Sequence, residues 1–232
     1  MTYADDSRRV AEFIVPLYGD DPFEAVRTAS GRHREEHAPQ LAGGAQECGV
    51  YPSGQMKMRL VATLVRALRP QRLLEIGCGL GYSALSLADA AGAGAVIETI
   101  DRFPQHAALA EGYAKSFGLA DRVRVLAGEG EALLAGLSGP YDLIHDDGWF
   151  GRRPPYFERM AALLRPGGLL VISNWFLLVE SLAKETSMDW AQFAGASWRE
   201  DVQAYARDLA SRRDLAVSFV PDLGVALAYK LP

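Results

Sequence analysis

Two adjacent carboxylates follow an apolar run in the segment "YDLIHDDGWF", residues 141–150. Asp146 and Asp147 come at the end of this run, with His145 before them and Trp149 after them. Acids at the end of a strand can hold a metal ion, hold a cofactor, or cap the following helix. The segment therefore marks a candidate site whose chemistry depends on what the rest of the chain places around it.

A second candidate site is the glycine-rich segment "EIGCGLGYS", residues 75–83. Glycines at 77, 79 and 81 allow a tight turn and a close approach of the backbone to a ligand, and the next helix offers unpaired N–H groups. Asp101 ends the following strand, where one carboxylate can accept both hydroxyls of a ribose or cap the next helix. A pyrophosphate-binding turn has its third glycine one position later, which disfavours a nicotinamide dehydrogenase.

Short apolar segments alternate with amphipathic ones, and this pattern predicts the elements that position both sites. Strands are predicted at 72–77, 95–101, 122–128, 141–147, 168–174, 216–220 and 224–230. Helices are predicted at 53–68, 82–91, 104–118, 129–137, 153–165 and 198–212, with further helices before residue 50. The last two strands are separated only by "PDL", which is too short for a crossover and predicts an antiparallel hairpin.

This order predicts an α/β fold: a Rossmann-like, doubly wound seven-stranded sheet with helices on both faces. Five strands are expected to be parallel, and the C-terminal hairpin antiparallel. The length of 232 residues suits one domain, with 1–53 as an N-terminal helical cap and 54–232 as the cofactor-binding core. Ligands are expected beyond the carboxyl ends of the strands.

Bulk composition argues against several classes of partner. The net charge is −5 and the pI about 5.4, whereas a nucleic-acid footprint requires a basic face. No apolar run reaches the roughly 18 residues of a membrane span, and the N-terminus does not resemble a signal peptide. The two cysteines, Cys48 and Cys78, form no disulfide framework. We therefore expect a cytoplasmic protein without nucleic-acid or membrane partners.

Five segments resemble, in this order and spacing, the class I S-adenosylmethionine-dependent methyltransferases. They are "LLEIGCGLGYSALSLA", "IETID", "LAGEGEALL", "YDLIHDDGWF" and "LLRPGGLLVISN". The nearest resemblance is to the small O-methyltransferases of the catechol and caffeoyl-CoA type, and it runs from about Gly54 to the C-terminus. It implies S-adenosyl-L-methionine as cofactor, a hydroxyl of a small aromatic molecule as methyl acceptor, and a homodimer.

The resemblance also implies where the cofactor lies. Glu75, Gly77 and Ser83 would line its methionine end, Asp101 would hold the ribose, and the segment 128–130 would lie beside the adenine. The cofactor-binding positions so implied are Glu75, Gly77, Gly79, Gly81, Tyr82, Ser83, Asp101, Arg102, Gly128, Glu129, Gly130, Asp146 and Trp149.

In the resembled family two neighbouring oxygens of the acceptor chelate a divalent cation such as Mg²⁺. Its ligands are an Asp after the fourth strand and an Asp-Asn pair after the fifth, and a lysine acts as base. Asp147 and Asn174 match two of the ligands, whereas Ser173 stands in place of the second Asp and Phe150 in place of the lysine. Losing one carboxylate weakens a site for a hard cation.

Three interpretations of "HDDGW" therefore stay open. Asp147 and Asn174, with or without Asp146, can hold a weakly bound metal. The reaction can instead proceed without metal, with His145 or Asp147 as the catalytic base. The segment can also face the cofactor, with Trp149 against the adenosine.

The segment 175–198 resembles an insertion near the acceptor pocket. It contains five aromatic residues, which either wall that pocket or pack in the core and at a dimer contact: Trp175, Phe176, Trp190, Phe193 and Trp198. His33 and His37 are expected at the surface.

The function inferred is methyl transfer from S-adenosylmethionine to a hydroxyl. The alternatives are a metal-independent natural-product methyltransferase acting on oxygen, nitrogen or carboxyl groups, and a non-catalytic cofactor-binding homologue.

Overall fold

A computed structural model of the chain describes residues 3–41, 50–148 and 151–232. Seven strands form one sheet in the order β3-β2-β1-β4-β5-β7-β6. The strands are β1 Arg72–Ile76, β2 Val96–Asp101, β3 Val123–Ala127, β4 Tyr141–Asp146, β5 Leu164–Ile172, β6 Leu215–Val220 and β7 Val225–Lys230. The helices are α1 Tyr3–Ile14, α2 Glu24–Leu41, α3 Gln55–Leu68, α4 Tyr82–Ala91, α5 Pro104–Ser116, α6 Gly130–Gly136, α7 Phe157–Leu163, α8 Phe176–Leu182, α9 Ala191–Ala194 and α10 Trp198–Ser211.

The strand pairing confirms the predicted topology. β2 pairs in parallel with both β1 and β3, and β4 pairs in parallel with β5. β7 is antiparallel to both β5 and β6, and "PDL" forms the short 3₁₀ turn of the hairpin. β5 begins at Leu164, earlier than predicted, because Leu164 pairs with Tyr141 before an irregularity in the register. The intervening Pro and glycines are typical of a turn, which hid this start in the sequence.

The chain divides into two compact units. The N-proximal unit is Asp20–Gly136, and the C-proximal unit is Met1–Gly19 together with Leu137–Pro232. In the N-proximal unit α3 packs against α4. Met58, Val61 and Val65 of α3 recur at helical spacing and are buried, whereas Leu68, the last residue of the helix, is exposed. Each unit buries aliphatic side chains of its strands: Leu73, Leu74, Ile97 and Ile100 in the N-proximal unit, and Leu143, Ile144, Leu170 and Val171 in the C-proximal unit.

Within the described residues, no helix combines the length and the apolar character needed to cross a lipid bilayer.

Candidate functional site

The glycine-rich turn between β1 and α4 has a backbone that favours glycine at three positions. Gly77, Gly79 and Gly81 have φ of 93°, 52° and 95°, which side chains of L-residues rarely adopt. The N–H groups of Gly77 and Cys78 both donate to the carbonyl of Ile100, at 2.9 and 3.0 Å. The turn is therefore fastened to β2, and the next helix begins directly behind it.

Asp101 lies at the end of β2, and its carboxylate is fixed by the backbone. Oδ2 accepts a hydrogen bond from the Gly79 N–H at 2.7 Å, and Oδ1 accepts one from the Phe103 N–H at 2.9 Å. Nδ1 of His106 lies 3.3 Å from the same Oδ1. A carboxylate offers about four acceptor sites, so these three contacts leave Oδ2 able to accept one further hydrogen bond, such as that of a ribose hydroxyl.

Glu75 is completely buried in β1, and the hydroxyl of Thr99 donates to its Oε2 at 2.6 Å. Cys78, in the turn itself, is also buried, and this burial raises the pKa of its thiol well above the ordinary value. Gly128 donates its N–H to the carbonyl of Asp101 at 2.9 Å. The ends of β1, β2 and β3 are thus linked by hydrogen bonds into one edge of the N-proximal unit.

The other implied cofactor positions vary in their surroundings. Tyr82 is buried, and its hydroxyl donates to Oδ2 of Asp21 at 2.6 Å. Ser83 is buried in the first turn of α4, whereas Arg102 is exposed, with its guanidinium over the Phe103 ring. Glu129 is exposed just before Gly130, which begins α6. Trp149 and Phe150 lie outside the described residues.

The two acids that follow the fourth strand differ in exposure. Asp146 is the last residue of β4 and is only 3% exposed, whereas Asp147 is half-buried. Oδ1 of Asp146 accepts hydrogen bonds from the Gly148 N–H at 3.3 Å and from the Tyr156 hydroxyl at 3.4 Å. Burial raises the pKa of the Asp146 carboxyl to about 7, because the ionised form loses its hydration.

His145 and Ser173 form a buried pair. Nε2 of His145 lies 3.1 Å from the hydroxyl oxygen of Ser173, and both residues are shielded from solvent. The Ser173 N–H donates to the carbonyl of Asp146 at 2.8 Å, which aligns the ends of β4 and β5. Asn174 follows with φ of 68°, a left-handed conformation that asparagine tolerates better than most residues.

These donors do not fit a divalent-cation site well. The residue in place of the family's second Asp is Ser173, whose hydroxyl lies against His145. Asp146 is buried and already hydrogen-bonded to two groups, so only Asp147 contributes a carboxylate of greater exposure. Among the described residues, no group of three or more His, Cys, Asp or Glu side chains is placed to hold a metal. Hard cations prefer several carboxylates, and this site offers few.

A small cleft in the C-proximal unit adjoins the same residues. Its lining residues are Asp146, Gly151, Arg152, Pro154, Ile172, Ser173, Asn174, Trp175, Leu177, Val202 and Tyr205. The cavity volume is about 20 Å³, which is room for about one water molecule. Nε1 of Trp175 and the hydroxyl of Tyr205 are buried and have no hydrogen-bond partner within the part of the chain that the structure describes.

The described aromatic side chains of 175–198 lie in two places. Trp175 lines the cleft, whereas Trp198 packs in a cluster with Leu177 and Val202. Phe176 and Trp190 pack against the same cluster, with ring centroids 5.5 Å apart. The side chain of Phe193 lies outside the described residues.

Several residues of these sites were not predicted from the sequence. Tyr156, ten residues after Asp146, and Tyr205, on α10, both approach Asp146, and no local pattern signals them. His106 was also missed, although its place in the first turn of the helix after Asp101 is a usable signal. The surface position expected for His33 is wrong: it is half-buried, and its Nε2 lies 3.3 Å from Nε2 of His106. The side chain of His37 lies outside the described residues.

Comparisons with known proteins agree with the fold and with the sequence motifs. A family model described as O-methyltransferase matches residues 52–231. A catechol O-methyltransferase of Mycobacterium tuberculosis is 31% identical over 159 residues, which are 68% of this chain and 67% of the relative.

Solved structures give the same result. The cofactor-bound protein Rv0187 from MTB has a TM-score of 0.74 and 25% identity, with 95% of this chain and 94% of that chain covered. The SAH-bound methyltransferase PaMTH1 of Podospora anserina has a TM-score of 0.79, covers 100% of this chain and 98% of its own, and shares the fold at 21% identity. Because the family model spans well over half of its residues, the chain belongs to the O-methyltransferase family.

Proposed function

We propose that the protein transfers the methyl group of S-adenosyl-L-methionine to a hydroxyl of a small aromatic acceptor. The observation that carries the proposal is the fixed carboxylate of Asp101, held by the Gly79 amide beside a turn of three glycines with positive φ. Two flexible hydroxyls are well recognised by one carboxylate that is already oriented. The cofactor-bound and SAH-bound structural relatives support this choice of ligand.

In this proposal the chain's own residues divide the recognition of the cofactor. Asp101 accepts the ribose hydroxyls, and the N–H groups at the start of α4 face the carboxylate of the methionine moiety, near Ser83. Glu75 lies below the methionine end, and the segment 128–130 lies beside the adenine. Trp149 against the adenosine stays a prediction, because it lies outside the described residues.

Methyl transfer from a sulfonium is an in-line displacement, and the acceptor hydroxyl must lose its proton. Two residues are candidates to take that proton. Asp147 is half-buried beside Asp146 of the cleft. His145 is fully buried but contacts the Ser173 hydroxyl, and Ser173 lines the cleft, so the proton can reach the imidazole through that hydroxyl. We assign the catalytic role to these two side chains.

A methyltransferase that works without a metal ion is the second candidate function. It is favoured because the Ser173 hydroxyl, which lines the cleft, stands in place of the family's second Asp. Such an enzyme does not need two neighbouring oxygens on its acceptor, so phenols with one hydroxyl, amines and carboxylates enter the candidate list. Methyl transfer that is equal in EDTA and in Mg²⁺ would support this form, and transfer abolished by EDTA would reject it. The homodimer and the cytoplasmic location stay predictions, the first testable by sedimentation.

The cofactor assignment is tested by titrating S-adenosylhomocysteine into the protein in a calorimeter. We expect Asp101→Asn to weaken binding about tenfold or more, because hydrogen bonds to a charged group contribute about 1.5–3 kcal/mol. Asp121→Asn, which changes an exposed acid of the same unit, serves as the matched control and should bind as the wild type does. Unchanged affinity in Asp101→Asn would contradict the ribose assignment.

A further inference from the structure

A chain of two histidines leads from helix α2 to the carboxylate of Asp101. Nε2 of His33 lies 3.3 Å from Nε2 of His106, and Nδ1 of His106 lies 3.3 Å from Oδ1 of Asp101. We propose that His106, supported by His33, is a positioning residue that orients Asp101 for the ribose of the cofactor. The inference rests on the proposed function, since it concerns the same carboxylate.

The surroundings of His106 show why its ring is held in one orientation. The residue is only 1% exposed. Its ring lies against Phe103, with centroids 4.9 Å apart, and against His33, with centroids 5.2 Å apart and planes at 82°. Phe103 also donates its N–H to Oδ1 of Asp101, so one short segment supplies both the packing surface and a second hydrogen bond.

The chemistry of the three groups assigns the hydrogens. An ionised carboxylate only accepts, so Nδ1 of His106 carries the hydrogen that faces Asp101. With that hydrogen on Nδ1 and the imidazole of His106 neutral, Nε2 of His106 is an acceptor, to which Nε2 of His33 can donate. Each group then has the partner it needs, and the buried carboxylate faces donors on several sides. Such a network fixes the position of a carboxylate more firmly than a single bond does.

Residues at and just before the start of α2 also contact the first residues of α4 and α3. Asp21, just before α2, accepts the hydrogen bond of Tyr82, the first residue of α4. Glu24, the first residue of α2, accepts a hydrogen bond from Gln55 at 3.0 Å. The family model begins only at residue 52, so α2 lies before the matched segment. Helix α2 is by this inference part of the cofactor site and not only a cover.

The test compares S-adenosylhomocysteine with its analogue that lacks both ribose hydroxyls, each titrated in a calorimeter. We expect His106→Leu to weaken S-adenosylhomocysteine about five- to tenfold and to change the affinity for the analogue less than about twofold, since tenfold corresponds to about 1.4 kcal/mol. His106→Asn retains a donor near the position of Nδ1 and should recover most of the affinity. Gln105→Leu, exposed on the same helix, is the matched control and should behave as the wild type does.

His33→Phe gives a second and milder test, because it keeps the ring and removes the donor. It should weaken S-adenosylhomocysteine about two- to threefold in the wild type and have no effect in the His106→Leu background. In both variants the KM for S-adenosylmethionine should rise while kcat stays unchanged, since the chemical step does not involve these side chains.

The outcomes separate this inference from the proposed function. If the wild type does not distinguish the two ligands, or if Asp101→Asn binds both as the wild type does, the ribose assignment falls and this inference with it. If the wild type distinguishes them but His106→Leu weakens both ligands equally, His106 only supports the fold, and this inference alone is overturned.

Discussion

At the scale of single residues, the most informative position is Ser173. Its hydroxyl lies 3.1 Å from Nε2 of His145 in the interior, and it lines the cleft beside Asp146. A buried imidazole requires a hydrogen-bonding partner, and a neutral hydroxyl can donate or accept as the imidazole needs. In the resembled family this position carries a carboxylate, which can hold a cation. In the proposed function, the Ser173 hydroxyl replaces that chelating carboxylate and passes the acceptor's proton to His145.

The corresponding prediction is a gain of metal binding in Ser173→Asp. This variant restores the family's donor set of two carboxylates and an amide with Asp147 and Asn174, so we expect Mg²⁺ to bind at submillimolar concentration and to raise the melting temperature. The wild type should show no such shift. Ser173→Asn, which has the same shape without the charge, is the control. An equal response to Mg²⁺ in the wild type would show that the present donors already hold a cation.

At the scale of elements, much of the architecture could be predicted from local patterns. Alternating apolar segments identified all seven strands, and the three residues of "PDL" identified the hairpin. The start of β5 was missed because Pro166 and Gly167 resemble a turn. Contacts between distant segments could not be predicted, because no local pattern records them. Tyr205 in the cleft with Asp146 and His33 beside His106 are examples.

The turn between β1 and α4 gives a prediction at this scale. An added Cβ at Gly81 would lie 3.2 Å from Cβ of Ala110, and the residue has φ of 95°. We expect Gly81→Ala to lower the free energy of unfolding by about 2–3 kcal/mol, from backbone strain and crowding together. It should also weaken the binding of S-adenosylhomocysteine.

The control for this prediction is Gly118→Ala. Gly118 has φ of 68°, and an added Cβ there would meet no heavy atom within 4 Å. Gly118→Ala should lower the free energy of unfolding by only about 1 kcal/mol, from the left-handed backbone alone. It should bind S-adenosylhomocysteine as the wild type does. Equal losses of stability and affinity in the two variants, measured by urea unfolding and calorimetry, would mean that the close approach of α5 to the turn is unimportant.

At the scale of the whole molecule, ion pairs join elements that are far apart in the sequence. Arg212, at the end of α10, donates to both carboxylate oxygens of Asp214 at 2.7 Å and to Glu158 of α7 at 3.0 and 3.2 Å. The Arg212 guanidinium holds the pKa of the Asp214 carboxyl below its usual range. The ion pair between Arg212 and Asp214 therefore makes the stability of the C-proximal unit depend on pH.

A lowered carboxyl pKa contributes stability above the unfolded-state pKa, and this contribution is lost as the pH falls through the folded-state pKa. We expect Arg212→Ala to lower the free energy of unfolding by about 1 kcal/mol at pH 7, as in a partly exposed ion-pair network. The difference in unfolding free energy from the wild type should shrink as the pH falls below the usual pKa range of an aspartate. Arg213→Ala, at an exposed neighbouring site, is the control. A difference that persists unchanged at acid pH would assign the effect to packing of the arginine stem.

The most direct test of the account is methyl transfer itself, followed by mass spectrometry. The wild type, Asp101→Asn and a double variant of His145→Phe with Asp147→Asn are supplied with S-adenosylmethionine and a panel of catechols and monophenols, in EDTA and in Mg²⁺. We predict a product heavier by one methyl group on a hydroxyl with the wild type, retained in EDTA. We also predict a strongly raised KM for S-adenosylmethionine in Asp101→Asn, and loss of turnover in the double variant. Cofactor binding without methylation of any hydroxyl, or equal turnover in all three proteins, would contradict the account.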